Sequence, residues 1–238
     1  MTGFVKAHGT GNDFVVFGDL DNALEISATQ VRAICDRHFG IGADGLIRIG
    51  TNGEGFFMDH RNADGTMPEM CGNGVRVVGK WLGDRGHCQD EVAVHTRSGV
   101  KHLLLHRDEM FGFVQSVTVD MGAPVGEVED VAVEVDGSTV EAHSVSMGNP
   151  HAVVFVDDID SVDVPHVGAA IEHHKLFGEG TNVEFVDQRD GRLRQRTWER
   201  GVGETLSCGT GACAVAVAAH TKGLTGCLLY TSPSPRDS

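Results

Sequence analysis

The stretches Cys71-Gly72-Asn73-Gly74 and Cys208-Gly209-Thr210-Gly211 share one pattern, a cysteine followed by Gly-x-Gly, at an offset of 137 residues (208 − 71). The same offset separates Gly11-Asn12 from Gly148-Asn149, and each of these pairs precedes a run that contains Val-Val. Landmarks that recur in the same order at one period indicate two copies of one structural unit. The sequence therefore predicts two pseudo-symmetric domains that each contribute one cysteine.

The remaining pattern is typical of a protein with many short strands and few helices. Apolar periodicity predicts helices near 28–38, 73–83, 164–175 and 209–222. Alternating apolar runs predict strands near 13–18, 46–50, 54–60, 91–96, 100–106, 112–119, 131–136, 138–146, 151–157, 182–187 and 192–198. Arg97-Ser98-Gly99 and Asp136-Gly137 are typical of tight hairpin turns. We expect an α/β (α+β) fold in which each domain is a curved, mostly antiparallel sheet around a central helix.

The end of the chain differs in composition from the rest. Residues 227–238 hold the only tyrosine and two of the six prolines, and they show no apolar period. Such composition is typical of a vector-derived tail, and a native disordered tail is the alternative. Two full copies of the repeat would reach about residue 274 (137 + 137). We therefore expect domains at 1–118 and 119–226, the second incomplete, followed by a non-native tail at 227–238.

Charge and composition exclude several classes of function. The 238 residues are 40% hydrophobic and carry a formal net charge of −15, which disfavours binding to nucleic acid or to anionic membranes. No apolar run approaches the ~18 residues of a membrane span. The N-terminus lacks a secretory pattern, so we expect a cytoplasmic protein whose six cysteines are thiols.

Three motifs suggest a cofactor or a metal only loosely. The run 40–45 fits G-x-G-x-x-G and the run 209–214 fits G-x-G-x-x-A, but neither lies in a clear βαβ unit. His102 and His106 are four residues apart in a predicted strand, where we interpret them as surface histidines. We expect neither a cofactor nor a metal.

The two cysteines are suited to acid–base chemistry at carbon. Inverting an amino-acid α-carbon requires removing a proton from one face and returning one to the other, which a thiolate and a thiol can do together. A helix N-terminus favours negative charge and lowers the pKa of a cysteine below ~8.5. We therefore expect Cys71 and Cys208 to be the catalytic pair, with the substrate carboxylate at the helix ends formed by Gly72, Asn73, Gly209 and Thr210.

Several further motifs stand in a characteristic order. They are His8-Gly9-Thr10-Gly11-Asn12-Asp13-Phe14, Asn62-Ala63-Asp64-Gly65, Gly148-Asn149-Pro150-His151, Thr181-Asn182-Val183-Glu184 and Glu199-Arg200-Gly201-Val202-Gly203-Glu204-Thr205. Together with the two cysteine motifs, they resemble the diaminopimelate epimerases over about residues 4–222. The resemblance implies a cofactor-independent, two-cysteine interconversion of LL- and meso-diaminopimelate on the way to lysine and peptidoglycan, in a homodimer. It also implies two pseudo-symmetric domains.

The resemblance also implies a set of polar residues that bind the substrate. Arg200 would pair with the distal carboxylate and Glu199 would accept from an ammonium group. The rest of the expected set is Asn12, Asn62, Asn149, His151 and Asn182. Two alternatives stay open at this point: a proline-racemase-like racemase for a smaller amino acid, and a catalytically impaired, truncated binding protein. Proline racemases share both cysteines but lack the run at 199–205.

Overall fold

A computed structural model describes residues 3–68 and 70–226 of the chain. Its contacts divide the chain into two compact units, with the boundary between Asp120 and Met121. The expected tail at 227–238 lies outside the described residues. Within the described residues, no helix combines the length and the apolar character that a membrane crossing demands.

The first unit is a seven-stranded sheet in which the strands follow their order in the sequence. Its strands are Val5–Gly9 (β1), Asn12–Gly18 (β2), Gly45–Thr51 (β3), Phe56–Asn62 (β4), Glu91–Thr96 (β5), Gly99–Arg107 (β6) and Val114–Val119 (β7), and its helices are Ala28–Cys35 (α1) and Gly72–Asp84 (α2). The pairs β2–β3 and β4–β5 are parallel, and the other four pairs are antiparallel.

The second unit is a six-stranded sheet in the order β13-β12-β11-β10-β9-β8. Its strands are Glu129–Val135 (β8), Ser138–Ser146 (β9), Pro150–Phe155 (β10), Asn182–Arg189 (β11), Arg192–Glu199 (β12) and Gly203–Thr205 (β13). Its helices are Val164–Glu172 (α3) and Gly209–Thr221 (α4), and one turn of 3-10 helix spans Ile159–Ser161. Only the pair β10–β11 is parallel. Both sheets are thus mostly antiparallel, and the predicted α/β (α+β) class is confirmed.

The two units repeat the same elements in the same register. Phe14 lies opposite Gly45 in the parallel pair β2–β3, and His151 lies opposite Asn182 in the parallel pair β10–β11. Both residues of the second pair are displaced from those of the first by the offset of 137 (151 − 14 and 182 − 45). Strands β1–β4 and helices α1 and α2 therefore correspond to β9–β12, α3 and α4.

In each unit, one core cluster packs around the helix that follows the cysteine. In the first unit, Val75, Val78 and Leu82 of α2 are buried against the sheet. In the second unit, Ala214, Val215 and Ala218 of α4 pack on β9, β10 and β11. The sequence of α4 is apolar on all sides and predicts that strands surround it, but in the described residues Cys213, Ala216 and Val217 are only half-buried.

Two strands and two helix ends differ from the sequence prediction. Neither β1, in which half-buried and exposed residues alternate, nor the three-residue β13 has an apolar run that predicts it. Helix α1 ends at Cys35 rather than near 38, because the side chain of Asp36 accepts from the N–H groups of His38 and Phe39 and turns the chain. Helix α3 ends at Glu172 rather than near 175.

Candidate active site

Cys71 occupies the first position ahead of helix α2. Its backbone is extended (φ −140°, ψ 106°), and its carbonyl accepts the first helical hydrogen bond from the N–H of Val75 at 2.9 Å. Its Sγ accepts from the N–H of Gly74 at 3.3 Å. The thiol is therefore an N-cap group that satisfies one of the otherwise unpaired N–H groups of the helix.

Cys208 has the same role ahead of helix α4. Its backbone is extended (φ −118°, ψ 117°), its carbonyl accepts from the N–H of Ala212 at 3.0 Å, and its Sγ accepts from the N–H of Gly211 at 3.4 Å. Cys208 is buried, with 8% of its surface exposed. The two matching motifs thus give the same local geometry twice, one in each unit.

The protonation of Cys208 differs from the expectation for a helix N-terminus. Burial raises the pKa of its thiol well above the usual value, and the carboxylates of Glu199 and Glu184 raise it further. Hydrogen bonds from Thr210 and Gly211 lower the pKa by less. The expectation of a lowered pKa is therefore wrong for Cys208, because desolvation of the thiolate outweighs the helix end. Cys208 is a thiol at neutral pH.

The tip of the β1–β2 hairpin packs against the start of α2. A Cβ on Gly9 would lie 2.5 Å from the carbonyl oxygen of Asn73, so this close approach requires glycine. Thr10 adopts a positive φ of 49° and donates from Oγ1 to Asn73 Oδ1 at 2.9 Å. Arg76 donates to the same amide oxygen and to Thr10 Oγ1. Asn73 beside Cys71 is thereby fixed in orientation.

A chain of polar side chains leads away from Cys208 into the core. The hydroxyl of Thr210 lies 3.4 Å from Cys208 Sγ and accepts from Asn149 Nδ2 at 3.2 Å. Asn149 Oδ1 lies 3.1 Å from His151 Nε2, and His151 Nδ1 lies 2.8 Å from Glu184 Oε1. Three side chains thus connect the Cys208 sulfur to the carboxyl group of Glu184, which has no exposed surface.

Two of the predicted asparagines lie in the first unit. Asn12 begins β2, and its Oδ1 is buried with no hydrogen-bond partner in the part of the chain that the structure describes. Such an orphan acceptor is uncommon in proteins and is available to a ligand. Asn62 ends β4 and donates from Nδ2 to Thr66 Oγ1 at 3.0 Å.

Asn182, Glu199 and Arg200 lie together at one end of β11 and β12. Asn182 donates to the carbonyl of Pro150 at 3.0 Å and accepts from the N–H of Arg200 at 3.0 Å, so its amide fixes the backbone there. Glu199 accepts from Thr205 Oγ1 at 2.6 Å. Arg200 is exposed, and its guanidinium makes no hydrogen bond or ion pair among residues 3–68 and 70–226.

Three residues of the site were not singled out from the sequence. Thr10 and Arg76 hold Asn73, and Glu184 ends the chain that begins at Cys208. The repeat does contain a signal for Glu184. It is a carboxyl group in the middle of an apolar strand, and the residue that corresponds to it in the first unit, at the offset of 137 (184 − 47), is the apolar Ile47. The contacts of Thr10 and Arg76 depend on long-range packing that no local pattern predicts.

Three further cysteines in the described residues have no counterpart motif. Burial raises the pKa of Cys35 and that of Cys88, and both pack against apolar clusters. Cys213 lies within α4. No disulfide involves any of the five described cysteines.

Comparison of the sequence with known families gives one consistent result. The sequence profile of the family described as Diaminopimelate epimerase matches residues 4–126 and 143–229. The chain is 45% identical over 239 residues to a diaminopimelate epimerase of Leptospira biflexa, covering 94% of this chain and 85% of that protein. It is 44% identical over 230 residues to one of Streptomyces coelicolor, covering 90% of this chain and 77% of that protein.

Solved structures share the fold at low sequence identity. A hydroxyproline epimerase from Agrobacterium vitis, solved with trans-4-hydroxy-L-proline bound, superposes with a TM-score of 0.71 at 15% identity, covering 94% of this chain and 78% of that one. A probable proline racemase from Agrobacterium radiobacter gives a TM-score of 0.71 at 17% identity, covering 95% and 79%. At such identities the likeness shows the fold alone.

Proposed function

Because the chain belongs to the diaminopimelate epimerase family, we propose that it interconverts LL- and meso-2,6-diaminopimelate, with Cys71 and Cys208 as the two bases. The observation that carries this proposal is that both cysteines are N-cap residues with the same backbone and sulfur hydrogen bonds. The product would serve the synthesis of lysine and of peptidoglycan.

Each turnover moves two protons and needs no cofactor. One cysteine, as thiolate, takes the α-proton and becomes a thiol, and the electron pair of the broken C–H bond stays on the α-carbon. The other cysteine, as thiol, gives its proton to the opposite face and becomes a thiolate. The two residues exchange protonation states, so the reverse reaction starts where the forward reaction ends. The raised pKa of Cys208 makes it the thiol of the resting pair.

The helix ends supply binding to the reacting end of the substrate. The first N–H groups of an α-helix have no partners within the helix and favour a negative charge. We assign the α-carboxylate to Gly72 and Asn73 of α2 and to Gly209 and Thr210 of α4. The same groups stabilise the negative charge that develops when the α-proton leaves.

The second amino-acid end of the substrate needs its own partners. The guanidinium of Arg200, which is exposed and has no partner among the described residues, is suited to a bidentate contact with the distal carboxylate. Glu199 and the orphan Oδ1 of Asn12 are acceptors for ammonium groups. The remaining expected residues make contacts within the protein, so we propose that they hold the binding groups in place; they are Asn62, Asn149, His151 and Asn182.

A racemase for a smaller amino acid is the alternative within the same fold. The cyclic substrate of such an enzyme has one carboxylate and leaves Glu199 and Arg200 without a role. We therefore expect turnover of diaminopimelate and none of proline or hydroxyproline. A catalytically impaired binding protein would bind diaminopimelate without inverting it.

We further propose that the protein is a cytoplasmic homodimer. None of the five described cysteines forms a disulfide, which is typical of a reducing compartment. Static light scattering during gel filtration would give twice the chain mass of 25.4 kDa for a dimer. A mass of one chain would contradict the dimer and leave the chemistry untouched.

The proposal is tested by incubating LL-diaminopimelate with the purified protein in the presence of a metal chelator and without added cofactor. Chiral chromatography should show the meso isomer forming until the two isomers reach equilibrium. Cys71→Ala and Cys208→Ala should each reduce the rate by about a thousand-fold or more, because each removes one of the two proton-transferring groups.

Matched cysteine variants separate catalysis from damage to the fold. Cys88→Ala in the first unit and Cys213→Ala in the second should retain activity close to that of the wild type. Substantial activity in either Cys71→Ala or Cys208→Ala would contradict the two-base assignment.

A further inference from the structure

A buried carboxyl group lies beneath Cys208 on strand β11. Glu184 has no exposed surface, and neither has its partner His151. Glu184 Oε2 has no hydrogen-bond partner in the described part of the chain. A carboxyl group in such a place costs free energy unless something compensates it, so its presence in an apolar strand calls for a function.

The hydrogen bonds from Glu184 to Cys208 have a fixed direction. Asn149 Oδ1 can only accept, so His151 Nε2 donates to it across 3.1 Å. The other ring nitrogen lies 2.8 Å from Glu184 Oε1, so one proton lies between them. The histidine and the carboxyl group together therefore carry no net charge.

The same direction continues to the sulfur. Asn149 donates from Nδ2 to Thr210 Oγ1 across 3.2 Å. Because Thr210 Oγ1 already accepts from this amide, its own hydrogen is available to Cys208 Sγ at 3.4 Å. Each side chain in the series thus donates its hydrogen bond to the next one in the direction of the sulfur. A hydrogen bond donated to a thiolate stabilises the thiolate.

The first unit has apolar residues at the two positions that correspond to the buried end of this chain. By the offset of 137, Phe14 corresponds in sequence to His151, and Ile47 corresponds to Glu184 (151 − 14 and 184 − 47). Both residues of the first unit are buried and apolar. The polar chain is therefore a property of the Cys208 half and not a requirement of the fold.

We propose that Glu184 is a positioning residue, which acts through His151 and Asn149 to keep the hydroxyl of Thr210 directed at the Cys208 sulfur. This inference rests on the proposed function, in which Cys208 alternates between thiol and thiolate. Among the described residues, Glu184 makes its hydrogen bond to His151 and none to the Cys208 sulfur.

The charged groups that bear on Cys208 are few. Glu199 from β12 and Glu184 from β11 face it, and His151 of β10 lies on the far side of the Thr210–Asn149 link. On β9, His143 bonds Lys222 at the opposite end of α4. Because burial raises the pKa of Cys208, we assign the alkaline limb of the activity profile to this thiol.

The test is the pH profile of kcat/KM for the wild type, Glu184→Leu and Glu184→Gln, measured in both directions of epimerisation. Leucine removes the hydrogen-bond partner of His151, so the hydrogen bonds between His151, Asn149 and Thr210 are free to reverse their donor and acceptor roles. The alkaline limb should then move up by about one pH unit, since the thiolate loses a charge-assisted hydrogen bond. The acid limb should stay in place.

Glutamine at position 184 is the matched variant. Its amide N–H can donate to His151 Nδ1, which keeps the Nε2–H donor and the direction of the chain while removing the carboxyl group. The acid limb should stay in place, and the alkaline limb should not rise; it should fall slightly, because the negative charge of Glu184 raises the pKa of Cys208. Asp187→Asn removes another buried carboxyl group from β11, one that pairs with Arg194 outside the hydrogen-bonded chain, and should leave both limbs in place.

Three results would overturn the inference. A downward shift of the alkaline limb in both Glu184 variants would mean that the residue acts through its charge. A uniform loss of activity with unmoved limbs would mean that it only supports the fold. If Glu184→Leu does not fold, Thr210→Val is measured instead; it should raise the pKa of the alkaline limb, and Thr210→Ser should return that pKa to the wild-type value. An unchanged alkaline limb in Thr210→Val would also contradict the inference. A wild type without any epimerisation would instead refute the proposed function.

Discussion

At the residue scale, the two cysteines share a backbone position but not a neighbourhood. Cys71 packs on a core cluster that includes Phe14 and Ile47, whereas the matching positions of the second unit hold His151 and Glu184. The proposed two-base reaction has no need for two identical thiols, since each would start the cycle in a different protonation state. The difference in burial and charge around Cys208 keeps it protonated in the resting protein.

His60 makes the stability of the first unit depend on pH. Burial lowers its pKa from 6.5 to about 4, and Nδ1 has no partner among the described residues. The unfolded chain therefore binds this proton before the folded one does. Stability due to His60 is complete above pH 6.5, falls as pH drops from 6.5 toward 4, and should decrease by about 2 kcal/mol between pH 7 and pH 5.

Urea unfolding at these two pH values checks this prediction with His60→Gln as the comparison. The variant cannot take up a proton, so its free energy of unfolding should change less between the two pH values, by about the same 2 kcal/mol. Equal pH dependence of the two proteins would show that His60 is not the titrating group.

Sequence reasoning succeeded for residues that the repeat marks twice. Cys71 and Cys208 lie where the paired motifs predict, and both cap a helix. It failed for the protonation of Cys208, because the depth of burial depends on packing by distant strands. It also failed to single out Glu184, since one carboxyl group in a strand gives no local signal of its partner.

At the element scale, the third residue of α2 and that of α4 are glycines that lie close to side chains of the neighbouring sheet. A Cβ on Gly211 would lie 2.4 Å from Glu184 Oε1, and a Cβ on Gly74 would lie 3.1 Å from Ile47 Cδ1. The carboxyl group is held by His151 and cannot yield, whereas the end of an isoleucine side chain can. The two helix starts should therefore differ in their tolerance of alanine.

We predict that Gly211→Ala lowers the free energy of unfolding by about 1–3 kcal/mol through overpacking. Gly74→Ala should cost less than about 1 kcal/mol, because the gain in helix propensity offsets the milder contact. Chemical denaturation of both variants beside the wild type gives the comparison. A larger loss in Gly74→Ala would contradict the packing described for α2 and α4.

The elements that the sequence missed are those without an apolar period. Strand β1 pairs with β2 across the turn Thr10-Gly11, in which both residues have positive φ (49° and 87°). A threonine is uncommon in that conformation, so the turn has no clear signature. In contrast, Asp136-Gly137 is a typical hairpin pair, and it joins β8 and β9 as predicted.

At the scale of the whole molecule, the repeat places one helix-capping cysteine in each unit, as the proposed two-base reaction requires. The parallel pairs β2–β3 and β10–β11 keep the same register, and each unit ends the repeated part in a helix capped by cysteine. The sequence predicted this duplication from the offset alone. It also predicted three strands after the helix that follows Cys71 and none after the helix that follows Cys208, as the structure has them in the described residues.

In the proposed reaction, two different monoprotic groups act on the two faces of one α-carbon. The most direct measurement follows LL-diaminopimelate in deuterated buffer to low conversion and determines deuterium in the product and in the remaining substrate by mass spectrometry. The account predicts that newly formed meso product carries one deuterium at the inverted carbon, because the second thiol exchanges with solvent. The remaining LL substrate should carry almost none. Deuterium appearing equally in both isomers from the start would indicate a single base and would contradict the account.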